Sequence, residues 1–193
     1  MNIPARLRPS VLAVVAALAL SVSAGAQTLA VPQVAIDNFA RVSDSYYRGA
    51  QPMGEDYANL ASLGVKTVIN LTSEDARPEE QSLVEKNGMR YVSIPMDTRK
   101  NPTPDELVRF LAVVNDATSQ PVYVHCVGGR HRTGVMTAVY RMTKDGISGK
   151  DAFAEMKKFN YGPDFLHPEF KEFVETFDAK KSAASAVTAT QQQ

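Results

Sequence analysis

A strand, a glycine-rich loop and a helix follow one another without a break in the second half of this chain. Residues 122–124 are Val, Tyr and Val, a run that is typical of a short buried strand. Gly128 and Gly129 interrupt this pattern, and small and apolar residues recur at helical spacing over Arg132–Met142. The stretch therefore predicts a strand, loop and helix, with the only cysteine of the chain, Cys126, at the end of the strand.

The loop between Cys126 and Arg132 has the features of an anion-binding site. N–H groups of a loop that enters a helix converge on one point, where the helix dipole adds positive potential. Gly128 and Gly129 allow the backbone to curl around a bound anion, and Arg132 can hold two phosphate oxygens with its guanidinium. These groups all favour a thiolate at Cys126. We expect the Thr133 hydroxyl to hydrogen-bond the sulfur and to assist its departure from a covalent intermediate.

The remaining loop residues are predicted to bind substrate, namely Val127, Gly128, Gly129, Arg130 and His131. If Arg130 and His131 line the rim of the site, they add positive charge that suits a polyanionic substrate such as an inositol phosphate. An exposed position with little effect is the alternative for both. The alternative for the whole loop is a buried structural cysteine, which would leave its glycines and basic residues unexplained.

The N-terminus has the pattern of a secretory signal peptide over residues 1–26. Arg6 and Arg8 precede an apolar run at 11–22, and a Ser-Ala-Gly-Ala motif ends at Ala26. The apolar run is shorter than the ~20 residues of a membrane span, so we expect cleavage rather than anchoring. The sequence thus predicts an exported protein, periplasmic or secreted, with no membrane span after cleavage.

The charge and cysteine content narrow the classes of partner. Lys and Arg number 21, as do Asp and Glu, and residues 1–26 hold two arginines and no acid, so the mature chain has a net charge of about −2. No general positive field attracts nucleic acid or a membrane surface. One cysteine allows no internal disulfide, so an exported form would carry an unpaired thiol. We expect a monomer whose partner is a phosphorylated substrate.

Strand and helix patterns alternate along the rest of the chain, which predicts an α/β fold with a mainly parallel central sheet flanked by helices. We predict one domain over residues 27–178 and a disordered tail over 179–193. Strands are expected at 38–52 (one short strand ending in a turn), 65–71 and 89–95. Helices are expected at 57–63, 78–88, from Thr103 through its apolar stripe to Val114, at 148–159 and at 168–177.

Three loops qualify for the site because sites of parallel sheets lie beyond the carboxyl ends of the strands: 72–77, 96–103 and 126–132. A thiolate that attacks phosphorus needs a general acid for the leaving oxygen, and Asp97 is our first candidate. A solvated loop carboxylate or a turn former is the alternative for Asp97. Asp105 and Glu106 are weaker candidates, since helix capping explains them.

Other polar residues have mainly structural interpretations. Glu74 and Asp75 could orient Arg132 or a water, but we favour plain solvated loop positions. His125 is expected to be a buried histidine that influences the cysteine indirectly, and His167 to mark the entry of a helix. No cluster of His, Cys and carboxylate residues indicates a metal, and we expect no cofactor.

The spacing Cys-x5-Arg-Thr-Gly after His125 resembles the signature of the cysteine-dependent protein tyrosine and dual-specificity phosphatases. Further motifs resemble one subgroup, the atypical dual-specificity phosphatases of fungi and plants that act on inositol pyrophosphates, and their bacterial relatives. These motifs are Asn38-Phe39 with Val42, Tyr47 to Pro52, Leu63 to Leu71 with Glu74, Gly129 to Gly134, and Asp164 to Asp178.

The resemblance implies a tyrosine-phosphatase-like fold and a phosphocysteine intermediate. It makes Cys126 the nucleophile, Arg132 the phosphate-binding and transition-state-stabilising group, and Thr133 an aid to hydrolysis of the intermediate. An aspartate like Asp97 is typical of the wider superfamily rather than of the subgroup. The implied substrate is a phosphoprotein, an inositol phosphate or a phosphoinositide. A phosphate-binding pseudophosphatase and a rhodanese-like sulfurtransferase remain the alternatives.

Overall fold

A five-stranded sheet forms the centre of the protein, whose computed structural model describes residues 34–180. Its strands are β1 (Ala40–Ser43), β2 (Tyr46–Gly49), β3 (Thr67–Asn70), β4 (Arg90–Ser93) and β5 (Val122–His125). They are arranged in the order β1-β2-β5-β3-β4. The β1–β2 pair is antiparallel and the other pairs are parallel. The predicted mainly parallel sheet is therefore confirmed.

The helices of the described chain are α1 (Asp56–Ser62), α2 (Glu80–Lys86), α3 (Pro104–Asn115), α4 (Arg132–Lys144), α5 (Gly149–Lys157) and α6 (Pro168–Thr176), with a short 3-10 helix at Asp164–Leu166. The predicted capping box of α3 is present. Thr103 Oγ1 accepts from the Glu106 amide, and the Glu106 carboxylate accepts from the Thr103 amide.

Side chains of each strand alternate between the two faces of the sheet, as strand geometry requires. On one face Tyr46, Ile69 and Val124 pack against α3 and α4. On the other face Tyr47 and Val68 pack against α1 and α2. Helices α5 and α6 cover the outer side of α4, which explains why ten of its thirteen residues are buried. Helix α4 is thus fixed from both sides.

The position of β5 decides where the site forms. This strand lies between β2 and β3 and is parallel to both, with His125 in register with Gly49 and Asn70. The three strands therefore end at one edge of the sheet. The loops that follow them start side by side at Ala50, Leu71 and Cys126.

Two predicted elements differ from the structure. Residues 38–52 form the two-stranded ribbon β1–β2 rather than one strand and a turn. The pairing of β2 with β5 leaves the other edge of β2 open, and β1 covers it. The helix predicted to reach Phe159 ends at Lys157, close to the positive φ of 56° at Asn160.

The predicted signal peptide, residues 1–26, lies outside the described residues, as do residues 181–193 of the predicted disordered tail. Only Ala179 and Lys180 of that tail are described, and its disorder stays a prediction. Within residues 34–180, no helix combines the length and the apolar composition that crossing a membrane requires.

Candidate active site

The backbone of residues 126–131, called the cup below, links β5 to α4. Its carbonyl groups are held by the segment around β2. The Gln51 amide donates to Val127 O at 3.0 Å, the Asn38 side-chain amide donates to Gly128 O at 2.7 Å, and the Arg48 guanidinium donates to Gly129 O. In a trans peptide the N–H points opposite to the carbonyl. The N–H groups that follow these three carbonyls, those of residues 128–130, therefore point away from β2 and toward the space that the cup encloses.

Gly129 has no room for a side chain. Its φ is +63°, and a Cβ would lie 2.4 Å from the Gly49 carbonyl carbon and 2.6 Å from the Ala50 nitrogen. A Cβ at Gly128 would contact only the Arg130 side chain, at 3.6 Å. Gly129 thus lets the cup lie directly on the end of β2, whereas Gly128 has no such steric role.

Arg48 supports the cup from below and is 1% exposed. Its guanidinium carbon lies 3.9 Å from the centroid of the Phe159 ring, and burial lowers its pKa. Because burying a guanidinium away from a carboxylate is costly, its bond to the Gly129 carbonyl has to offset part of that cost. No local sequence pattern connects Arg48 with the loop; the register of β2 beside β5 does so.

Cys126 lies at the base of the cup and is 4% exposed. It lines a cavity of about 480 Å³ together with Val127, Gly128, Arg130, His131, Arg132, Thr98, Arg99 and His167. Burial opposes ionisation of Arg132, but the hydrogen bond to Asp75 and the neighbouring Cys126 sulfur outweigh it, so that the Arg132 pKa is raised. The cysteine and the guanidinium of the predicted site are thus neighbours.

Asp75 is exposed, as predicted, but it also orients Arg132, the role that the sequence analysis left as the less favoured one. The two side chains form a bidentate pair, with Nη2–Oδ2 at 2.6 Å and Nη1–Oδ1 at 3.1 Å. The Arg132 guanidinium lowers the pKa of Asp75. Arg132 Nη1 also lies 3.3 Å from Leu71 O and 3.4 Å from Met96 O. One side chain therefore joins the three loops that follow β3, β4 and β5.

Glu74 remains a solvated loop residue. It is exposed, and the Ser73 hydroxyl donates to its carboxylate at 2.7 Å, which lowers its pKa.

The hydrogen bond predicted from Thr133 to the Cys126 sulfur is not formed in this structure. The Thr133 hydroxyl is buried and has no hydrogen-bond partner among the described residues. Thr133 lies in the first turn of α4, where its carbonyl accepts from the Thr137 hydroxyl at 2.7 Å. A role for Thr133 in hydrolysis stays a prediction.

Asp97 adopts the turn-forming role that the sequence left as its alternative. Its Oδ1 accepts from the Arg99 amide at 2.8 Å, and its Oδ2 pairs with Lys100 at 3.0 Å. These contacts, with the backbone bond as the largest cause, lower the pKa of Asp97. The side chain is 43% exposed and is not part of the cavity wall. A role for Asp97 as the general acid stays a prediction.

His125 is fully buried and belongs to a polar network under the cup. Its Nε2 lies 2.8 Å from Glu80 Oε1, and Asn70 donates to Glu80 Oε2 at 2.5 Å. Asn70 in turn accepts from the Thr72 amide and hydroxyl. The network ties the end of β5 to the end of β3 and to the first turn of α2. Glu80 could not be found from the sequence, since it resembles any acidic residue near a helix start.

His131 and His167 meet at one side of the cavity. Their ring centroids are 4.0 Å apart, and His131 Nε2 lies 2.9 Å from the Tyr161 carbonyl oxygen. His167 does mark a helix entry, as predicted, but it also lines the cavity, which the sequence analysis missed. In the sequence, the only sign of a role for His167 was its position directly before Pro168, and the start of a helix already explained that position. Val127 and Arg130, predicted to bind substrate, are exposed at the opening.

A metal is not suggested by the described residues, because no three His, Cys, Asp or Glu side chains among 34–180 cluster as ligands. Asp105 and Glu106 serve the first turn of α3, and Glu106 completes its capping box.

A family model described as a DSP-PTPase phosphatase fused to NAD+ kinase matches residues 31–173. Inositol diphosphatase DSP2 of Oryza sativa subsp. japonica is 33% identical over 108 residues, which are 54% of this chain and 53% of the rice protein. Dual specificity protein phosphatase TpbA of Pseudomonas aeruginosa UCBPP-PA14 is 32% identical over 127 residues, 65% of this chain and 56% of TpbA. The chain thus spans little more than half the length of these relatives.

Solved structures show the same architecture. The core catalytic domain of the PP-IP phosphatase SIW14 from S. cerevisiae superposes with a TM-score of 0.68 at 23% identity, covering 80% of this chain and 94% of that domain. A cysteine-to-serine variant of P. aeruginosa TpbA in complex with pTyr gives a TM-score of 0.66 at 25% identity, covering 81% of this chain and 92% of the TpbA chain in that crystal structure.

Proposed function

Because this chain belongs to the DSP-PTPase phosphatase family, we propose that it is a phosphomonoester hydrolase that works through a phosphocysteine intermediate. The observation that carries the proposal is the neighbourhood of Cys126 and Arg132 under a cup whose carbonyls are held by the β2 segment. Inward N–H groups and a guanidinium stabilise negative charge on the transferring phosphoryl group. The thiolate of Cys126 is the nucleophile.

The reaction has two steps. The Cys126 sulfur forms a bond to phosphorus while the bond from phosphorus to the ester oxygen breaks. A water molecule then attacks the phosphocysteine, the S–P bond breaks, and inorganic phosphate and the thiolate are released. Arg132 binds two phosphate oxygens in both steps, and Asp75 keeps its guanidinium in the plane that this requires.

Hydrolysis of p-nitrophenyl phosphate under reducing conditions tests the proposal. We expect turnover that vanadate inhibits, and a Cys126→Ser variant that has no turnover but still binds phosphate. Brief mixing with ³²P-labelled substrate and acid quenching should trap label on the wild-type chain only. Full activity of the serine variant would contradict the proposal.

Two further measurements distinguish hydrolysis from the two alternative functions. Phosphate binding without turnover in the reduced wild-type protein would indicate a pseudophosphatase. Sulfur transfer from thiosulfate to cyanide would indicate a rhodanese-like reaction. The family membership, with Cys126 and Arg132 lining the same cavity, favours hydrolysis over both.

A polyanionic substrate is the second part of the proposal. Arg99 and Arg130 line the cavity beside Arg132, and three guanidinium groups are more positive charge than one phosphate needs. Relatives carry the names inositol diphosphatase and dual specificity protein phosphatase, so inositol pyrophosphates and phosphoproteins are the two classes to compare. We favour the inositol class because the positive groups surround the cup on several sides.

Comparison of kcat/KM over inositol pyrophosphates, phosphotyrosine peptides and phosphoserine peptides tests this choice. Arg130→Gln should raise KM for an inositol pyrophosphate more than for p-nitrophenyl phosphate, whereas the matched exposed change Lys150→Gln on α5 should affect neither. Equal effects of Arg130→Gln on both substrates would exclude Arg130 as a contact to a second phosphate.

We also propose that residues 1–26 direct export and are removed. The basic start, the short apolar run and the small residues before position 27 support this proposal. Expression with the native N-terminus, followed by fractionation and intact-mass measurement, should give an exported chain that begins at Gln27. A cytosolic chain that retains residues 1–26 would be the contrary result.

A further inference from the structure

His167 and Glu169 form an imidazole–carboxylate pair beside the cavity that holds Cys126. His167 Nδ1 lies 3.3 Å from Glu169 Oε1, and the side chains are 17% and 27% exposed. An ionised carboxylate can only accept at this contact, so Nδ1 carries a proton. Nε2 is then the ring nitrogen that remains for a molecule in the cavity.

The His167 ring is held in place by its neighbours. It stacks on Phe170 with centroids 5.6 Å apart, and its backbone carbonyl accepts from the Tyr161 hydroxyl at 2.6 Å. Pro168 starts α6 directly after it. A side chain fixed in this way presents Nε2 in one direction, as proton transfer in a transition state requires.

The other proton-carrying groups near the cavity are engaged elsewhere. The carbonyl of Tyr161 can only accept, so His131 Nε2 uses its proton there, and burial is the main cause that lowers the His131 pKa. The Asp97 carboxylate accepts from the Arg99 amide and pairs with Lys100, outside the cavity wall. Among the described residues, neither His131 Nδ1 nor His167 Nε2 has a hydrogen bond to the protein, but His167 is the histidine of the two that is paired with a carboxylate.

Charge around His167 depends on whether the cavity is filled. The ring faces His131 and the Tyr161 ring, and the arginines of the cavity, Arg99, Arg130 and Arg132, oppose a positive imidazole. The Glu169 carboxylate attracts a positive charge on the ring, as does the negative charge of a phosphate ester in the cavity.

From this arrangement we infer that His167 is the general acid and base of the reaction, with Glu169 as its positioning residue. The inference rests on the proposed phosphatase function. While the Cys126 sulfur bonds to phosphorus and the ester P–O bond breaks, the proton on Nε2 moves to the departing oxygen. In the second step Nε2 takes a proton from the attacking water as its oxygen bonds to phosphorus and the S–P bond breaks.

A leaving-group comparison tests the inference. p-Nitrophenolate leaves without a proton, whereas the phenolate of phenyl phosphate needs one, and the two substrates otherwise make the same contacts. His167→Asn should lose roughly 100-fold in kcat on phenyl phosphate, the scale of general acid catalysis, and far less on p-nitrophenyl phosphate. Glu169→Gln should lose less, with the same preference. Glu172→Gln, exposed on α6, should match the wild type on both substrates.

The outcomes separate this inference from the proposed function. An inactive reduced wild-type protein would contradict the proposed function itself. Equal losses on both substrates in His167→Asn, or a leaving-group-dependent loss in Asp97→Asn instead, would overturn the role of His167 while the phosphatase function stands. If His167→Asn does not fold, the Glu169→Gln comparison decides by the same criterion. In a folded His167→Ala variant, added imidazole should restore phenyl phosphate hydrolysis, and absence of rescue would count against the inference.

Discussion

Replacing Gly129 by alanine should disrupt the cup, whereas the same change at the adjacent Gly128 should not. Alanine at a φ of +63° costs about 1–2 kcal/mol in backbone energy. Its Cβ would also lie 2.4 Å from the Gly49 carbonyl carbon and 2.6 Å from the Ala50 nitrogen. Neither neighbour is the end of a flexible side chain, so the loop itself has to move away from β2.

The displacement of the loop determines how much the free energy of unfolding and kcat fall. It weakens the bonds from Arg48 to Gly129 O and from Gln51 to Val127 O, each of which contributes about 1 kcal/mol. With the backbone cost, the free energy of unfolding should fall by about 3 kcal/mol. A displaced cup no longer aims its N–H groups at phosphate, and loss of such donors reduces kcat by roughly 100-fold.

Gly128→Ala is the matched control. Its Cβ would meet only the flexible Arg130 side chain at 3.6 Å, and its φ lies outside the left-handed region. The free energy of unfolding should stay within about 1 kcal/mol of the wild type. The chain has no tryptophan, so urea unfolding followed by far-UV circular dichroism is the suitable assay, together with kcat/KM on p-nitrophenyl phosphate. Equal stability and activity of the two variants would refute the close approach of the cup to β2.

Three further perturbations probe other parts of the structure. Asp75→Asn should lower kcat/KM roughly 10- to 100-fold, since Arg132 loses its orientation; unchanged kinetics would remove Asp75 from the site. Because the folded-state pKa of Asp75 is lowered, the stability from this pair is present above the usual carboxyl pKa and lost as pH falls through the folded value, so the variant should lose less stability in acid titrations than the wild type. Burial raises the pKa of Tyr57 to about 12. The contribution of the neutral phenol to stability is therefore present below the usual tyrosine pKa and lost as pH rises through about 12. Tyr57→Phe should flatten the alkaline fall in Tm, and a pH profile identical to that of the wild type would contradict this. Thr103→Ala removes the N-cap of α3 and should lower the free energy of unfolding by about 1 kcal/mol with kcat/KM unchanged, whereas an unchanged urea midpoint would show that the cap contributes nothing.

Local chemistry made much of this protein predictable. The strand before Cys126, the loop with Gly128 and Gly129, and the helix from Arg132 follow from residue types and spacings that act over a few neighbours. The capping box at Thr103 is local in the same sense. The mainly parallel sheet also followed, because alternating strand and helix patterns leave few other ways to bury both faces.

Tertiary structure decided which distant residues share the site. Asp75 meets Arg132 from 57 positions away, and Arg48 meets Gly129 from 81 positions away, because β2 and β3 lie on either side of β5. His167 reaches the cavity because α6 packs on α5 and α4.

The physical reason for this division is that strand order and register carry no local signature. A carboxylate on a loop has the same sequence context whether it faces solvent, like Glu74, or a guanidinium, like Asp75. The amino-acid sequence by itself determined the cup with its cysteine and arginine. Only the folded chain decided which side chains orient the arginine, support the glycine loop and bring an imidazole to the cavity that Cys126 lines.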